Sequence, residues 1–247
     1  MIPLRLILTV LLAASVLGAD AIDPKHELLV IARADDPTHP TEMIGNSSLL
    51  AKRGSPASTI KVPLSLMGLQ EKVISLESSY ICGDRTSMPS PLTLRQAMDL
   101  SSNEYFEQLV KNLGIPRLET FLSRWKYFPL SEKSLPPPPR IARGKAFVVS
   151  PQDQLDFLSQ LVLRKVEGVG QPAYDLLDTV LAQPERPGLY GKTGSDREGS
   201  WYVAYSRDAA TPFIYVLRSD LPNSDGKRLK KILLEHIGQD AGTKPQS

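Results

Sequence analysis

Cysteine is nearly missing from this chain: Cys82 stands alone in 247 residues. An internal disulfide is therefore excluded, and Cys82 reads as a small apolar filler. Histidine is scarce too, with only His26, His39 and His236. None of the three stands at metal-ligand spacing with Cys82 or with another histidine, so no metal site is expected. None lies in a context that suits a general base, which weakens any serine–histidine–aspartate reading. Charge of one sign is not in excess, the formal balance being +2, and no long basic block occurs. Nucleic acid is thereby disfavoured as a partner. Long apolar runs are missing as well: the longest falls short of the roughly 20 residues needed to cross a bilayer.

That run lies at the very start. MIPLRLILTVLLAASVLGADA carries one early charge at Arg5, an apolar core from Leu6 to Leu17 and the small-residue ending Ala19-Asp20-Ala21. This is the pattern of a secretory signal peptide over residues 1–21. It predicts removal on export, a periplasmic or secreted product and no remaining membrane span. Residues 22–247 are then one domain, long enough to bury a sizeable core.

Apolar and β-branched runs predict strands at Glu27–Ala32, Glu42–Arg53, Leu189–Gly194, Ser200–Ser206 and Pro212–Arg218. Helical spacing predicts helices from Pro56 to Gln70, over Pro91–Met98, Glu104–Leu113 and Pro116–Trp125, from Pro151 to Leu163 under a Ser150 cap, and over Tyr174–Leu181 and Arg228–Ile237. Residues 129–140, with prolines at 136–139, read as a long loop. Strands at both ends with helices between them imply an antiparallel sheet built from the two termini. Helices flank it, and an all-helical subdomain occupies about 70–185.

The chemistry concentrates in PASTIKV, residues 56–62. Residues three apart share a helix face, so Lys61 can hold its nitrogen beside the Ser58 hydroxyl. Burial among Ile60, Val62 and Leu64 would lower the lysine pKa and make it a base. The start of a helix also offers unpaired N–H groups to a developing oxyanion. S-x-x-K alone is a weak signal, since about one is expected by chance in a chain this size. Lys192-Thr193-Gly194 on a strand is much rarer, with a chance expectation of roughly 0.05 per chain. Ser101-Ser102-Asn103 supplies S-x-N at a helix break between the two.

The order S-x-x-K, S-x-N, K-T-G is the signature of penicillin-binding proteins and serine β-lactamases. PASTIKVPLSLMGL, LTLRQAMDLSSNEYFEQLVKNLG, VVSPQDQLDFL, KTGSDREGSWYVAY and SDGKRLKKILLEHIG resemble class D (oxacillinase-type) β-lactamases and the related penicillin-sensor domains. The resemblance runs from about Glu27 to Gly238 and implies the α/β fold of the serine β-lactamase/transpeptidase group. It further implies Ser58 as the acylated nucleophile, Lys61 as its base and Ser101 as a proton relay to the leaving nitrogen. Lys192 would supply positive charge, and Thr193 would bind the ligand carboxylate. Gly194 and Ser195 complete that strand, the N–H groups of Ser58 and Ser195 forming an oxyanion hole. Arg228 occupies the place of a carboxylate-binding arginine.

Three departures accompany the resemblance. Class D enzymes keep a CO2-derived carbamate on the motif lysine with an apolar third residue in S-x-V, whereas this chain has Asn103. Arg140–Val149 (RIARGKAFVV) lacks the tryptophan that holds the carbamate. Lys126-Tyr127-Phe128 stands in place of Y-G-N. Asn103 is expected to contact Lys61 or Ser101 and to favour a plain amine, with no metal or organic cofactor implied. The reading is an exported serine β-lactamase, acylated at Ser58 and hydrolysing β-lactams slowly. Its alternatives are a penicillin-binding or sensor-type module that stays acylated, and a small D,D-peptidase acting on peptidoglycan stem peptides.

Overall fold

The computed structural model describes residues 21–125, 134–207 and 210–242. Residues 1–20 of the signal-peptide segment and Lys126–Phe128 lie outside the described residues. Strand β1 (Glu27–Arg33) turns into β2 (Glu42–Gly45). The second strand is shorter than its sequence predicts. Gly45 turns to φ 98° and the Asn46 side chain accepts from Ser48 N at 3.1 Å, capping a 3₁₀ turn at Ser47–Leu49. A second 3₁₀ turn, Ala57–Ile60, runs into α1 (Lys61–Gln70). Pro63 sits in the first turn of α1, where its missing N–H costs no helical hydrogen bond.

The pair β3 (Ser79–Cys82) and β4 (Ser90–Thr93) forms a two-stranded ribbon that the sequence reading missed. Helix α2 (Leu94–Leu100) starts later than Pro91 because Thr93 and Gln96 form a capping box. Then come α3 (Asn103–Leu113) and α4 (Ile115–Trp125). The proline run is not loop throughout: α5 (Pro138–Ala142) begins at Pro138, where proline is tolerated at the first helical position. Helix α6 (Pro151–Val162) carries the expected Ser150 cap, boxed with Asp153, and α7 (Gln171–Leu181) follows. The chain closes with β5 (Leu189–Asp196), β6 (Gly199–Ser206), β7 (Phe213–Ser219) and α8 (Gly226–Gly242).

The main sheet is antiparallel with order β2-β1-β7-β6-β5, so both termini build it and β5 is an edge. Its two faces follow the period-2 alternation of the strands. Leu29, Tyr202 and Leu217 pack under Leu229, Ile232 and Leu233 of α8. Val30, Val203 and Val216 join the larger core, which includes residues of α1 and α6. Register sets Lys192 opposite Val203 and Gly194 opposite Trp201, on that second face, while Thr193 stands opposite Tyr202 on the α8 face. One strand therefore offers successive side chains to two different neighbourhoods.

Candidate active site

From Ser55 to Leu69 every residue is buried except Ser58. Ala57 just before it adopts φ 47°, a left-handed conformation that disfavours a side chain. Ser55 Oγ accepts from Ala57 N at 3.2 Å and supports that turn. Gly144, at φ 75°, passes so close that a Cβ there would stand 2.5 Å from Ala57 O. The Arg140–Val149 segment thus presses a glycine, not a bulky ring, against the backbone before Ser58. From the sheet side Gly194 also approaches, less tightly: a Cβ would lie 3.1 Å from Ser58 N.

Lys61 has no exposed surface. Its Nζ lies 3.0 Å from Ser58 Oγ, 2.8 Å from Ser101 O, 3.3 Å from Ser101 Oγ and 2.9 Å from Asn103 Oδ1. Four oxygens and the Phe106 ring, whose centroid is 5.5 Å away, surround the nitrogen. Burial, reinforced by the charge of Lys192, drives the Lys61 pKa well below that of an ordinary lysine. Lys192 is also buried, and its Nζ donates to Ser101 Oγ at 3.1 Å and to Thr193 O at 2.9 Å. Burial first, and then nearby cations, bring its pKa down to about 7. Ser101 joins the two lysines. It holds φ 55° at the break between α2 and α3, so that its carbonyl and hydroxyl both face Lys61.

That break is pinned by a residue the sequence reading did not single out. Asp84 Oδ1 accepts from Ser102 Oγ at 2.6 Å, and Oδ2 accepts from Asn103 N at 2.6 Å. Burial disfavours its charge, yet these hydrogen bonds hold the carboxyl below its usual range. Glu104 closes the same loop by accepting from Gly83 N at 2.6 Å. Nothing local in C-G-D-R signals the role, because the partners come from a turn 18 or more residues downstream.

The structure brings Ser58, Lys61, Ser101, Asn103 and Lys192 together. Gly194 lies against Ser58. Thr193 lines a neighbouring cavity, and Ser195 Oγ accepts from Gly226 N at 2.9 Å, tying β5 to the start of α8. Arg228 is placed elsewhere. Its Nη1 bonds Glu27 Oε1 at 2.5 Å and its Nη2 bonds Ala21 O at 2.8 Å. Glu27 is completely buried, so its charge needs that partner. Arg228→Ala should accordingly cost stability of about 2 kcal/mol. That is below the 3–5 kcal/mol for a fully buried pair, because Arg228 is itself 35% exposed. Urea denaturation checks this, and an unchanged midpoint would contradict it. The histidines stay apart from the site: His26 pairs with Asp220, His39 with Asp36 and His236 with Glu42. Cys82 is buried, its Sγ facing Tyr80 O at 3.5 Å.

Known proteins resemble this chain in sequence and in fold. The model of the penicillin binding protein transpeptidase domain matches residues 18–163. Beta-lactamase OXA-11 of Pseudomonas aeruginosa is 23% identical over 206 residues, covering 78% of this chain and 76% of that protein. The structure of BPu1 beta-lactamase superposes with a TM-score of 0.74 at 21% identity, covering 90% of this chain and 95% of its own. The C-terminal domain of the Bacillus licheniformis BlaR penicillin-receptor superposes with a TM-score of 0.71 at 22% identity, covering 88% and 91%. The folds are alike over nearly the whole described chain.

Proposed function

We propose that this chain, which belongs to the penicillin-binding protein transpeptidase family, is an exported serine hydrolase that β-lactams acylate at Ser58 and that releases them slowly, as a class D type β-lactamase. The observation that carries the reading is the buried Lys61 nitrogen, set 3.0 Å from Ser58 Oγ and 3.3 Å from Ser101 Oγ. A desolvated lysine is a neutral amine over a wider pH range and can accept the Ser58 proton. Ser58 Oγ then bonds to the lactam carbonyl carbon, whose oxygen takes the negative charge and faces the N–H groups of Ser58 and Ser195. As the C–N bond breaks, the Lys61 proton passes through Ser101 to the departing nitrogen. Lys192, on the other side of Ser101, supplies positive charge to that half of the ligand. In the second half-reaction a water gives its proton to Lys61 and attacks the ester, and Ser58 Oγ leaves with that proton.

Slow release follows from the surroundings of Lys61. Its nitrogen faces four oxygens, three of them within 3.0 Å. The serine hydroxyls can donate as well as accept, but the Ser101 carbonyl, 2.8 Å away, only accepts, so it suits an N–H donor and would repel a carbamate oxygen. Lys61 therefore works as a plain amine, without CO2. The Asn103 contact favours a second reading, in which the acyl-enzyme is the end point, as in a penicillin receptor.

One experiment separates these cases. Mixed with excess chromogenic cephalosporin, the protein should release about one equivalent of colour in a burst, then turn over slowly. Its intact mass should rise by one acyl group, with or without bicarbonate. Asn103→Val should raise both the steady rate and the response to bicarbonate. Brisk turnover with no burst, lost when CO2 is removed, would overturn the amine reading. A burst with no later turnover would select the receptor.

A further inference from the structure

The two N–H groups that meet the oxyanion come from elements far apart in the sequence. Ser58 N lies in the 3₁₀ turn Ala57–Ile60, and Ser195 N lies near the end of β5, an edge of the sheet. Ala57 adds a strained φ of 47° directly before Ser58. Strain of that kind persists only where surrounding groups fix it. One carboxylate reaches both elements. Asp196, the residue after Ser195, is the last of β5 and pairs with Gly199 at the turn into β6.

Asp196 joins three segments. Its Oδ2 accepts from Lys145 Nζ at 2.8 Å, its Oδ1 accepts from Glu198 N at 2.8 Å, and its carboxylate also accepts from the Ser55 hydroxyl. Ser55 Oγ in turn accepts from Ala57 N at 3.2 Å. The line Lys145–Asp196–Ser55–Ala57 therefore starts in the Arg140–Val149 segment, crosses the end of β5 and finishes one residue before the nucleophile. Backbone contacts hold the Lys145 end in place. Gly54 N donates to Val149 O at 2.9 Å, Val149 N donates to Gly54 O at 2.8 Å, and Gly144 lies against Ala57 O. Burial disfavours the Asp196 charge, yet Lys145, the Glu198 N–H and Ser55 together hold its carboxyl below the usual range. It is therefore an anion at neutral pH, paired with a cation whose side chain is 37% exposed.

We propose that Asp196 and Lys145 are positioning residues for acylation: through Ser55 they fix the Ala57 turn and the end of β5 against each other, and so set the spacing of the two oxyanion donors. The proposal rests on the assignment of Ser58 and Ser195 above. The pair acts through Ser55 and the β5 backbone, not by touching the ligand. Its work is to keep two N–H groups aimed in advance, where a displacement of about 1 Å can cost 10²-fold in rate. An ion pair that only added stability at the surface would leave the rate alone.

The test separates the covalent step from binding. Acylation by benzylpenicillin is followed by intact mass in the wild type, Asp196→Asn, Lys145→Met, the double variant and Lys145→Arg. Asp196→Asn should lower the limiting acylation rate about 10²-fold and Lys145→Met about tenfold. Lys145→Arg should recover most of the rate, and the double variant should lose no more than Asp196→Asn alone, because the two residues act on one line. Calorimetric titration of Ser58→Ala protein with benzylpenicillin should change by less than about twofold when either substitution is added, since the donors act on the transition state. A boronic acid, whose tetrahedral adduct on Ser58 sets an oxygen between the two donors, should instead weaken by the factor the rate loses. Unchanged rates, or rate and ground-state affinity falling together, would overturn the proposal. A second arm does not depend on acylation: amide hydrogen exchange read by mass spectrometry. Peptides covering Ser55–Ile60 and Leu189–Asp196 should exchange about tenfold faster in Lys145→Met than in the wild type, with α4 unchanged. Equal exchange overturns the clamp. Absence of any adduct in the wild type would instead refute the acylation reading, and the exchange still decides the clamp.

Discussion

Ser58→Ala is expected to abolish covalent capture of β-lactams, with acylation falling by a factor of about 10⁶. The size of the loss follows from the site's construction. Ser58 is the one incompletely buried residue between Ser55 and Leu69, so ligand reaches the stretch at that hydroxyl. No neighbour can substitute for it. The Ser101 hydroxyl is held between two lysines, and the Ser102 hydroxyl donates to Asp84 at 2.6 Å. The variant should fold, because Lys61 keeps its contacts with the Ser101 carbonyl and hydroxyl and with Asn103. Each hydrogen bond of this type is worth only about 1 kcal/mol net. Peptide mapping after penicillin treatment should find the added mass on Ser58 in the wild type and nowhere in the variant. An adduct on Ser101 or Ser102 would sink the assignment.

Much of this site was legible in the sequence because its signals are local or strongly patterned. S-x-x-K places two side chains on one helical turn whatever the rest of the chain does. K-T-G sits in an alternating run that fits only a strand, and Ser150-Pro151 announces a helix start by cap chemistry alone. What was missed depends on partners far along the chain. Asp84 acquires its role from the Ser102–Asn103 turn, and nothing periodic marks it. Arg228 stands where the resemblance places a ligand-binding arginine, yet Glu27, 201 positions away, claims it. The ribbon of β3 and β4 escaped because four-residue strands containing Ser90 and Pro91 carry almost no alternation.

Lys192→Met should impair function and improve stability together. Lys192 is 5% exposed and has no carboxylate within hydrogen-bonding reach among the described residues. Its folded pKa, about 7, lies far below the unfolded value of 10.5. Above pH 10.5 both states are neutral and there is no penalty. As pH falls, the unfolded chain takes up the proton first, so the native state loses stability from about 10.5 down to about 7. Removing the group recovers up to about 4 kcal/mol at pH 7. The lost hydrogen bonds to Ser101 Oγ and Thr193 O cost about 2 kcal/mol, leaving a gain of about 2. Denaturant melts should show that gain at pH 7 and, near pH 10.5, a loss of up to about 2 kcal/mol from the missing hydrogen bonds. Acylation should meanwhile fall 10²–10³-fold, the usual effect of deleting one preorganised electrostatic contact. In the wild type the charged form needed for an anionic ligand disappears above pH 7, so acylation should decline along an alkaline limb centred there. Lys192→Arg keeps the charge at every pH and should flatten that limb while restoring part of the rate. A stable, active Lys192→Met protein with an unchanged pH profile would show that Lys192 is only a filler of the strand edge.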